Sequence, residues 1–290
     1  MGLTAAPPAV EQEVAAALEQ HGFRAERLLP ISAFGGEKRG RHAFRVDCTD
    51  GTTVKARYLG DPEVAARLCV LREGLGPAFA PVIARDGATL IEEWVDGRDL
   101  AAEETGDRAA GTGAILGSLH ARPLADGDAV VPTAEWLATA RRDLALLVDG
   151  GEVSEGAGAL EARLADADPG SFSAALIHRD FCPENLIVDR DGELRVIDNE
   201  WFMVGPPGID LGRTYHRWPA PVPRAIWGRF LDGYGSAAPQ PPALDFWMLA
   251  AALWGARVYM QHKPGRLDPL RVLLAELAGG ERPYEVTGDG

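Results

Sequence analysis

The first 95 residues alternate short apolar runs with turns, a pattern typical of a small antiparallel sheet. Residues 9–20 have apolar side chains at helical spacing and predict an amphipathic helix. A second helix is predicted over 62–72, where Pro62 occupies the first turn. The β-type runs are 28–32, 44–46, 52–58, 82–84 and 89–95. The turn Asp96-Gly97 then ends this region, and we expect a first lobe of residues 1–95.

The rest of the chain, residues 96–290, predicts a larger and mainly helical lobe. Apolar positions recur at helical spacing over 103–121, 134–148, 157–167, 221–233 and 243–262. One hairpin interrupts these helices, because two short apolar runs, 186–188 and 194–197, flank an Asp-Gly turn. The pattern therefore predicts an α+β protein, with strands and hairpins up to residue 95 and mainly helices after it.

Polar residues stand at both ends of this hairpin. His178 and Asp180 follow an apolar run, Asn185 lies five residues after Asp180, and Asp198 ends the second strand. Since a hairpin returns the chain to the edge where it began, we expect Asp198 close to Asn185 and Asp180. Carboxylate and amide oxygens suit a hard cation such as Mg²⁺, and a carboxylate can act as a base toward a hydroxyl group. The alternative is a surface hairpin with ordinary Asp turn residues.

The spacing H-x-D-x-x-x-x-N at 178–185, followed by Asp198, resembles the catalytic loop and metal-binding segment of the protein-kinase-like superfamily. The segment after Asp198 reads Asn-Glu-Trp rather than Phe-Gly, so it is more similar to the small-molecule branch, the aminoglycoside, choline and related antibiotic phosphotransferases. Arg179 departs from that branch, which usually has Gly there. The resemblance implies a bilobal kinase-like fold and transfer of the γ-phosphoryl group of ATP or GTP.

The resemblance also implies a role for each matched residue. Asp180 would be catalytic and would deprotonate the acceptor hydroxyl, while Asn185 and Asp198 would hold Mg²⁺ on the nucleotide phosphates. His178 would brace the loop, and Asp210 would support it by accepting its backbone hydrogen bonds. His120, at the end of a predicted helix, is interpreted as structural.

In the first lobe the resemblance points to nucleotide-binding residues. Lys55 lies in a β-type run and would contact the α and β phosphates; a solvent-facing strand residue is the alternative. Gly35 and Gly36 lie in a loop between strands, where glycine lets backbone N–H groups approach phosphates. We expect Glu63, in preference to Glu73, to pair with Lys55 from the second helix. The main chain at Glu93, Trp94 and Val95 would form the hinge that hydrogen-bonds adenine.

Charge bears on the partners. The net charge is −14, which disfavours nucleic acid, and residues 96–290 contribute −12 of it (18 Lys and Arg against 30 Asp and Glu). An acidic second lobe favours a cationic acceptor of the antibiotic or aminoglycoside type, although acidity could serve solubility alone. A metabolic amino alcohol or sugar is the alternative acceptor, and a non-catalytic nucleotide- or small-molecule-binding module is the alternative of another class. Candidate acceptor-binding residues are Glu200, Trp201, Asp232 and Asp245.

Two further features bear on environment and packing. Tryptophans concentrate in the last third of the chain, where they would either line an acceptor pocket or form core. The three cysteines show no metal-binding spacing and indicate a reduced, cytoplasmic setting. The N-terminal residues have no signal-peptide pattern, and the most apolar stretch is too short and too charged to span a membrane, so we expect no membrane partner.

Overall fold

The computed structural model describes residues 6–31, 40–100, 104–124, 132–166, 169, 172–218 and 222–285. They form two compact units. The first contains the described residues up to Arg98 together with Ile187–Glu200, and the second contains Asp99–Leu186 and the residues from Trp201 onward. The predicted division at residue 95 placed the whole hairpin in the second lobe, whereas Ile187–Glu200 packs with the first unit.

The first unit is built on a five-stranded antiparallel sheet with the strand order β1-β2-β3-β5-β4. The strands are β1 Ala25–Pro30, β2 His42–Cys48, β3 Thr53–Tyr58, β4 Val82–Asp86 and β5 Thr89–Glu93. Helix α1, Pro8–Gln20, buries Val14 and Leu18 against Phe44, Val54 and Ile91 of the sheet. These strands lie where the sequence pattern predicted β-type runs. Within the sheet, Lys55 of β3 is paired with Arg45 on one side and with Glu92 on the other.

Helix α2, Pro62–Arg72, packs beside β4 and β5. It begins where Asp61 accepts a hydrogen bond from the backbone N–H of Glu63, and Pro62 fills the first turn, where no hydrogen-bond donor is needed. Its buried residues are Ala65, Leu68, Leu71 and Arg72. Arg72 is the unusual member of this set, because a charged side chain is seldom buried without a partner.

Five short strands follow: β6 Gly97–Asp99, β7 Ala175–Ile177, β8 Leu186–Asp189, β9 Leu194–Val196 and β10 Met203–Gly205. Strands β8 and β9 form the predicted hairpin, with β6 on the other side of β8. Its turn is closed by hydrogen bonds between Asp189 and the residues Gly192 and Glu193. Strands β7 and β10 pair antiparallel within the second unit.

The second unit is mainly helical. Its helices are α3 Thr105–His120, α4 Thr133–Asp149, α5 Ala157–Asp166, α6 Pro207–Arg217, α7 Arg224–Gly235, α8 Leu244–His262 and α9 Asp268–Ala278. Helices α3 and α7 pack backbone against backbone, because a Cβ atom on Gly233 would lie 1.9 Å from the carbonyl oxygen of Ala110. The predicted α+β class, with an antiparallel sheet followed by helices, is confirmed. No helix in the described part of the chain has the length and apolarity that a membrane crossing requires.

Candidate active site

Lys55 and Asp198 form an ion pair in the first unit. The Nζ atom of Lys55, on β3, lies 2.8 Å from the Oδ1 atom of Asp198, which follows β9 by two residues. Asp198 has a φ of 58°, a left-handed conformation that non-glycine residues adopt infrequently. The chain therefore turns sharply at this carboxylate, and the two residues that the sequence assigned to phosphate and metal binding are in contact.

Arg57 is a second cation on Asp198. It lies two residues beyond Lys55 and therefore on the same face of β3. Its side chain is 6% exposed, and its guanidinium contacts Asp198 Oδ1 at 3.2 Å, Glu200 Oε2 at 2.8 Å and Glu92 Oε2 at 3.2 Å. Burial raises the pKa of Asp198, but Lys55 and Arg57 lower it more, to well below its usual range. Asp198 is thus ionised, as a ligand for a divalent cation must be.

Helix α2 is tied to the sheet through Arg72 rather than through a helix glutamate. Arg72 forms a buried ion pair with Glu92 of β5, which Arg57 also contacts. Burial would raise the pKa of Glu92, yet Arg72 and Arg57 lower it to about 2. Arg72 also donates to the backbone carbonyl of Ala80. The result is a buried chain of alternating charges that fixes β3, β5 and α2 around Asp198.

The expected pair between Glu63 and Lys55 is absent from the ion pairs of the described residues. Glu63 lies in the exposed first turn of α2, where a negative side chain is favoured by the helix dipole. Glu73, the other candidate, is exposed at the end of this helix. Lys55 instead contacts Asp198 and faces Glu92 across the sheet.

In the predicted hinge, Glu93 to Val95, one backbone N–H group already donates a hydrogen bond within the protein. The N–H of Glu93 donates to the carbonyl of Pro81 at 3.1 Å, and the Glu93 carboxylate contacts Arg195 at 2.7 Å. Trp94 is half-buried, with the Arg45 guanidinium 5.1 Å from its ring, and Val95 follows it outside the strand. Gly35 and Gly36, the predicted phosphate-loop glycines, lie outside the described residues.

In the second unit, Asp210 of α6 holds the loop that carries Asp180. Its Oδ2 atom accepts the backbone N–H of His178 at 2.6 Å, and its Oδ1 atom accepts that of Arg179 at 2.7 Å. Arg179 has a φ of 69°, so these two bonds hold a turn that few non-glycine residues adopt. His120 contacts Asp210 at 3.1 Å and Tyr234 at 2.9 Å, which fits its structural interpretation.

Asp210 is completely buried, and its pKa is nevertheless lowered, which favours the charged carboxylate. Burial would raise the pKa of this carboxyl, but the hydrogen bond and charge of His120 lower it below its usual value, with His178 assisting. A buried carboxylate that accepts several N–H groups is a rigid anchor. The loop therefore has a fixed backbone on which Asp180 is mounted.

Asp180 and Asn185 are in direct contact. The Nδ2 atom of Asn185 donates to the Asp180 carbonyl at 2.8 Å and to its Oδ2 atom at 3.1 Å. The backbone N–H of Asp180 donates to Nδ1 of His178 at 3.2 Å, so the His178 ring contacts the loop that it was predicted to brace. The Asp180 side chain remains 32% exposed, which leaves it accessible to a small molecule. Asn185 directs its amide nitrogen at Asp180, which leaves its Oδ1 atom as an oxygen ligand for a cation.

Arg217, at the end of α6, is a residue that the sequence did not single out. Its Nη1 atom lies 2.9 Å from Asp180 Oδ1, and its Nη2 atom lies 3.5 Å from Glu184 Oε2. Burial lowers the pKa of Arg217, but Cys182, Asp180 and Glu184 raise it more. An arginine thus contacts the carboxylate that would receive the acceptor hydroxyl.

Two of the predicted acceptor residues are carboxylates that are held by arginines. Glu200 is held by Arg57 in the first unit, and Asp245 contacts Arg282 at 2.7 Å and the Tyr284 hydroxyl at 2.6 Å. Asp232 is exposed on α7, and Trp201 is half-buried. The pocket interpretation of the tryptophans is wrong for three of them, which are core residues with at most 3% exposure: Trp218, Trp227 and Trp247.

The chemistry of the donor set fits Mg²⁺ bound together with a nucleotide. No three His, Cys, Asp or Glu residues among those described cluster as a dedicated metal site. Mg²⁺ in nucleotide sites usually takes one or two protein oxygen ligands and completes its shell with phosphates and water. The ionised carboxylate of Asp198 is a ligand of this kind, and so is the amide oxygen of Asn185.

Comparison with known proteins agrees with this geometry. The chain matches the phosphotransferase enzyme family over residues 8–247. A macrolide 2′-phosphotransferase from Brachybacterium faecium is 20% identical, with 95% of this chain and 99% of that chain aligned and a TM-score of 0.61. The choline kinase LicA from Streptococcus pneumoniae is 15% identical, with 92% and 99% aligned and a TM-score of 0.65.

A curated relative matches over a shorter stretch. The sperm motility kinase 2A of Mus musculus is 29% identical over 79 residues, which are 27% of this chain and 14% of that protein. The chain thus spans about a seventh of the length of this relative. The family match covers most of the chain, and the resemblance predicted from residues 178–198 is confirmed. The chain belongs to the phosphotransferase enzyme family, and its fold is that of the small-molecule kinases.

Proposed function

We propose that this protein transfers the γ-phosphoryl group of ATP or GTP to a hydroxyl group of a small molecule. The proposal rests on the hydrogen bonds that hold the Asp180 carboxylate and its loop in place. Asn185 holds one of its carboxylate oxygens, and Asp210 fixes the loop below it through two backbone N–H groups. A partly exposed, rigidly oriented carboxylate is what a transferase needs to position an acceptor hydroxyl.

The nucleotide would bind through the first unit. Lys55 would contact the α and β phosphates, and the backbone of Trp94 and Val95 would hydrogen-bond the base, since the Glu93 N–H is bonded to Pro81. Mg²⁺, held by Asp198 and Asn185, would neutralise the charge on the phosphates. Lys55 and Arg57 together lower the pKa of Asp198, and the contact with Arg57 also orients this carboxylate. Most of the catalytic effect would therefore come from positioning and charge stabilisation.

Asp180 would act on the acceptor. Its carboxylate accepts the proton of the acceptor hydroxyl as the new bond forms between the acceptor oxygen and the γ-phosphorus. The bond between that phosphorus and the bridging oxygen breaks, and the nucleoside diphosphate leaves with the electron pair. Arg217 holds the other carboxylate oxygen of Asp180, Oδ1, with its Nη1 atom at 2.9 Å.

The class of acceptor is the finer part of the proposal. The acidic second half of the sequence favoured a cationic antibiotic, with an amino alcohol or sugar as the alternative, and the related structures are named for a macrolide and for choline. The structure supports this less than it supports phosphoryl transfer, because Glu200 and Asp245 are already bound to arginines. We therefore propose that the acceptor is a small molecule that bears a hydroxyl group, and the proposal assigns it no charge.

The test is transfer of label from γ-labelled ATP and GTP, with Mg²⁺, into a panel of aminoglycosides, basic peptide antibiotics, amino alcohols, sugars and sugar acids. We expect a labelled phosphomonoester with one class, and no product with the Asp180→Asn variant. Nucleotide binding without transfer to any of these classes would contradict the proposal and would favour a binding module of the same fold.

A further inference from the structure

One face of helix α6 binds the loop of residues 178–185. Asp210, Arg213, Thr214 and Arg217 stand at positions i, i+3, i+4 and i+7 of this helix, and that spacing places them on one side of it. Asp210, Arg213 and Thr214 are buried, with at most 4% exposure. Buried polar groups need hydrogen-bond partners, and the loop provides partners for each of the four. We call these four residues the loop-binding face.

Three residues of the loop-binding face bind the backbone of the loop. Both backbone groups of Arg179 are held, because its N–H donates to Asp210 Oδ1 at 2.7 Å and its carbonyl accepts a hydrogen bond from Arg213. Thr214 Oγ1 donates to the carbonyl of Phe181 at 2.9 Å. The main chain is therefore fixed on both sides of the aspartate between them.

Arg217 differs from these three, because it contacts side chains. Its Nη1 atom lies 2.9 Å from Asp180 Oδ1, and its Nη2 atom lies 3.5 Å from Glu184 Oε2. Asn185 holds the other oxygen of Asp180, Oδ2, at 3.1 Å. The torsion that rotates an aspartate carboxylate has a broad range of low-energy values, so a fixed backbone does not fix the plane of the carboxylate. Two donors, one on each oxygen, define that plane.

We propose that Arg217 is a positioning residue for phosphoryl transfer, and that it holds the Asp180 carboxylate in the orientation that receives the acceptor hydroxyl. This inference rests on the proposed function, because it concerns the same reaction. Arg217 acts through Asp180, so its contribution is to the rate of transfer rather than to the binding of either substrate.

A link between helix and loop explains less of this arrangement. The other three residues of the loop-binding face already join α6 to the loop through backbone groups. The Glu184 carboxylate has a second cation, Arg266, at 3.5 Å. The side chain of Asp180 is 32% exposed, so water could solvate it without an arginine. Folding therefore does not require the contact between Arg217 and Asp180, whereas a fixed orientation of the carboxylate does.

Two substitutions of Arg217 test the inference through the rate of label transfer to the accepted substrate. Arg217→Met removes the donor on Asp180 and should lower kcat by at least about tenfold, while the KM values of acceptor and nucleotide change by less than about threefold. Arg217→Lys keeps a cationic donor and should lower kcat by only about threefold to tenfold. Thermal unfolding shows whether each variant is folded at the assay temperature, and either folded variant carries the test.

Arg266→Met is the matched control. It removes an exposed arginine whose ion pair is with Glu184 and leaves the contact between Arg217 and Asp180 in place. Its kcat should remain within about twofold of the wild-type value, as expected for an exposed ion pair.

Crystal structures of the wild-type protein and of Arg217→Met, each with Mg²⁺ and the non-hydrolysable β,γ-imido analogue of ATP, measure the orientation directly. In the variant we expect the Asp180 carboxylate to be rotated or to occupy two orientations, while Asp210 keeps its hydrogen bonds to the loop. A carboxylate in the wild-type orientation would overturn the inference. So would a wild-type kcat in Arg217→Met, a loss confined to the acceptor KM, or equal rates in the Met and Lys variants.

These outcomes separate the inference from the proposed function. Transfer by the wild-type protein together with an unchanged kcat in Arg217→Met would leave the proposed function standing and overturn the inference. Absence of transfer by the wild-type protein to every acceptor would remove the proposed function, and the pair of crystal structures would still show whether Arg217 orients Asp180.

Discussion

Replacing Arg57 with methionine should destabilise the first unit by about 3 kcal/mol. The substitution keeps an unbranched, apolar side chain on β3 and leaves Glu92, Asp198 and Glu200 without their shared cation. The pKa of Glu92, which Arg72 and Arg57 lower from 4.5 to about 2 against the effect of burial, corresponds to about 3 kcal/mol of preference for its ionised form. Removing one partner of a buried ion pair costs about 3–5 kcal/mol. The lower figure applies because Arg72 still contacts Glu92.

Hydrogen exchange of peptides from β3 and β5, followed by mass spectrometry, measures this change within the first unit. Arg45→Met is the matched control: Arg45 lies on the neighbouring strand β2, its side chain is 42% exposed, and it pairs with Asp47 at 2.9 Å. An exposed pair contributes about 1 kcal/mol or less. Equal protection in the two variants would refute the reasoning.

The same substitution should alter the response to acid. Because the folded pKa of Glu92 lies below its unfolded value, its contribution to stability is complete above about pH 4.5 and is lost as the pH falls toward about 2. In Arg57→Met the folded pKa of Glu92 should rise toward 4.5, so Glu92 should contribute less stability, and what it contributes should be lost completely at a higher pH than in the wild-type protein. An acid unfolding midpoint that matches that of Arg45→Met would contradict the assignment.

Two further predictions follow from the site and from the helix packing. Asp198→Ala should weaken binding of the Mg²⁺–nucleotide complex at least tenfold while changing metal-free nucleotide binding much less; calorimetry with and without Mg²⁺ checks this, and an equal loss in both would contradict a metal role. Gly233→Ala should destabilise the second unit by about 1–3 kcal/mol, because its Cβ would overlap the Ala110 carbonyl. Gly235→Ala, on the same helix with open space around it, should change stability by less than about 1 kcal/mol, and equal thermal shifts would refute the packing argument.

The elements with strong local patterns were predictable from the sequence. The alternation in β3 located Lys55 in a strand, and the Asp-Gly turn located the hairpin that leads to Asp198. The fixed spacing from His178 to Asn185 identified the family, because the local geometry of that loop requires those residue types at those positions. Asp210 was expected to accept backbone hydrogen bonds from this loop, and it does so with both oxygens.

The contacts that depend on tertiary packing were not predictable in this way. Arg72 and Glu92 are 20 residues apart, and Arg217 lies 37 residues after Asp180, so no local spacing connects them. A signal for Arg57 did exist, since the i and i+2 positions of β3 place it on the same face as Lys55. Glu63 was preferred to Glu73 because Glu73 lies at the helix end beside Gly74; the structure places Glu63 in the exposed first turn of α2, a position that the sequence pattern alone does not relate to Lys55.

The net charge of the second half of the sequence did not predict which charged groups lie beside Asp180. Residues 96–290 have a net charge of −12, and this favoured a cationic acceptor. Of the acidic candidates, Glu200 contacts Arg57 and Asp245 contacts Arg282, and the carboxylate of Asp180 contacts Arg217. A total charge does not determine the potential at one loop, because individual contacts within a few ångströms outweigh charges beyond the screening length.

Phosphoryl transfer by the Asp180→Asn variant is the most direct test of the central claim. Rates of label transfer to the accepted substrate are measured beside nucleotide affinity, for the wild-type protein and the variant. The account predicts a fall in the transfer rate of at least about 10²-fold with nucleotide affinity changed less than threefold, because Asp180 acts on the acceptor and not on the nucleotide. A variant that transfers the label at the wild-type rate would contradict the assignment of Asp180 and with it the proposed mechanism.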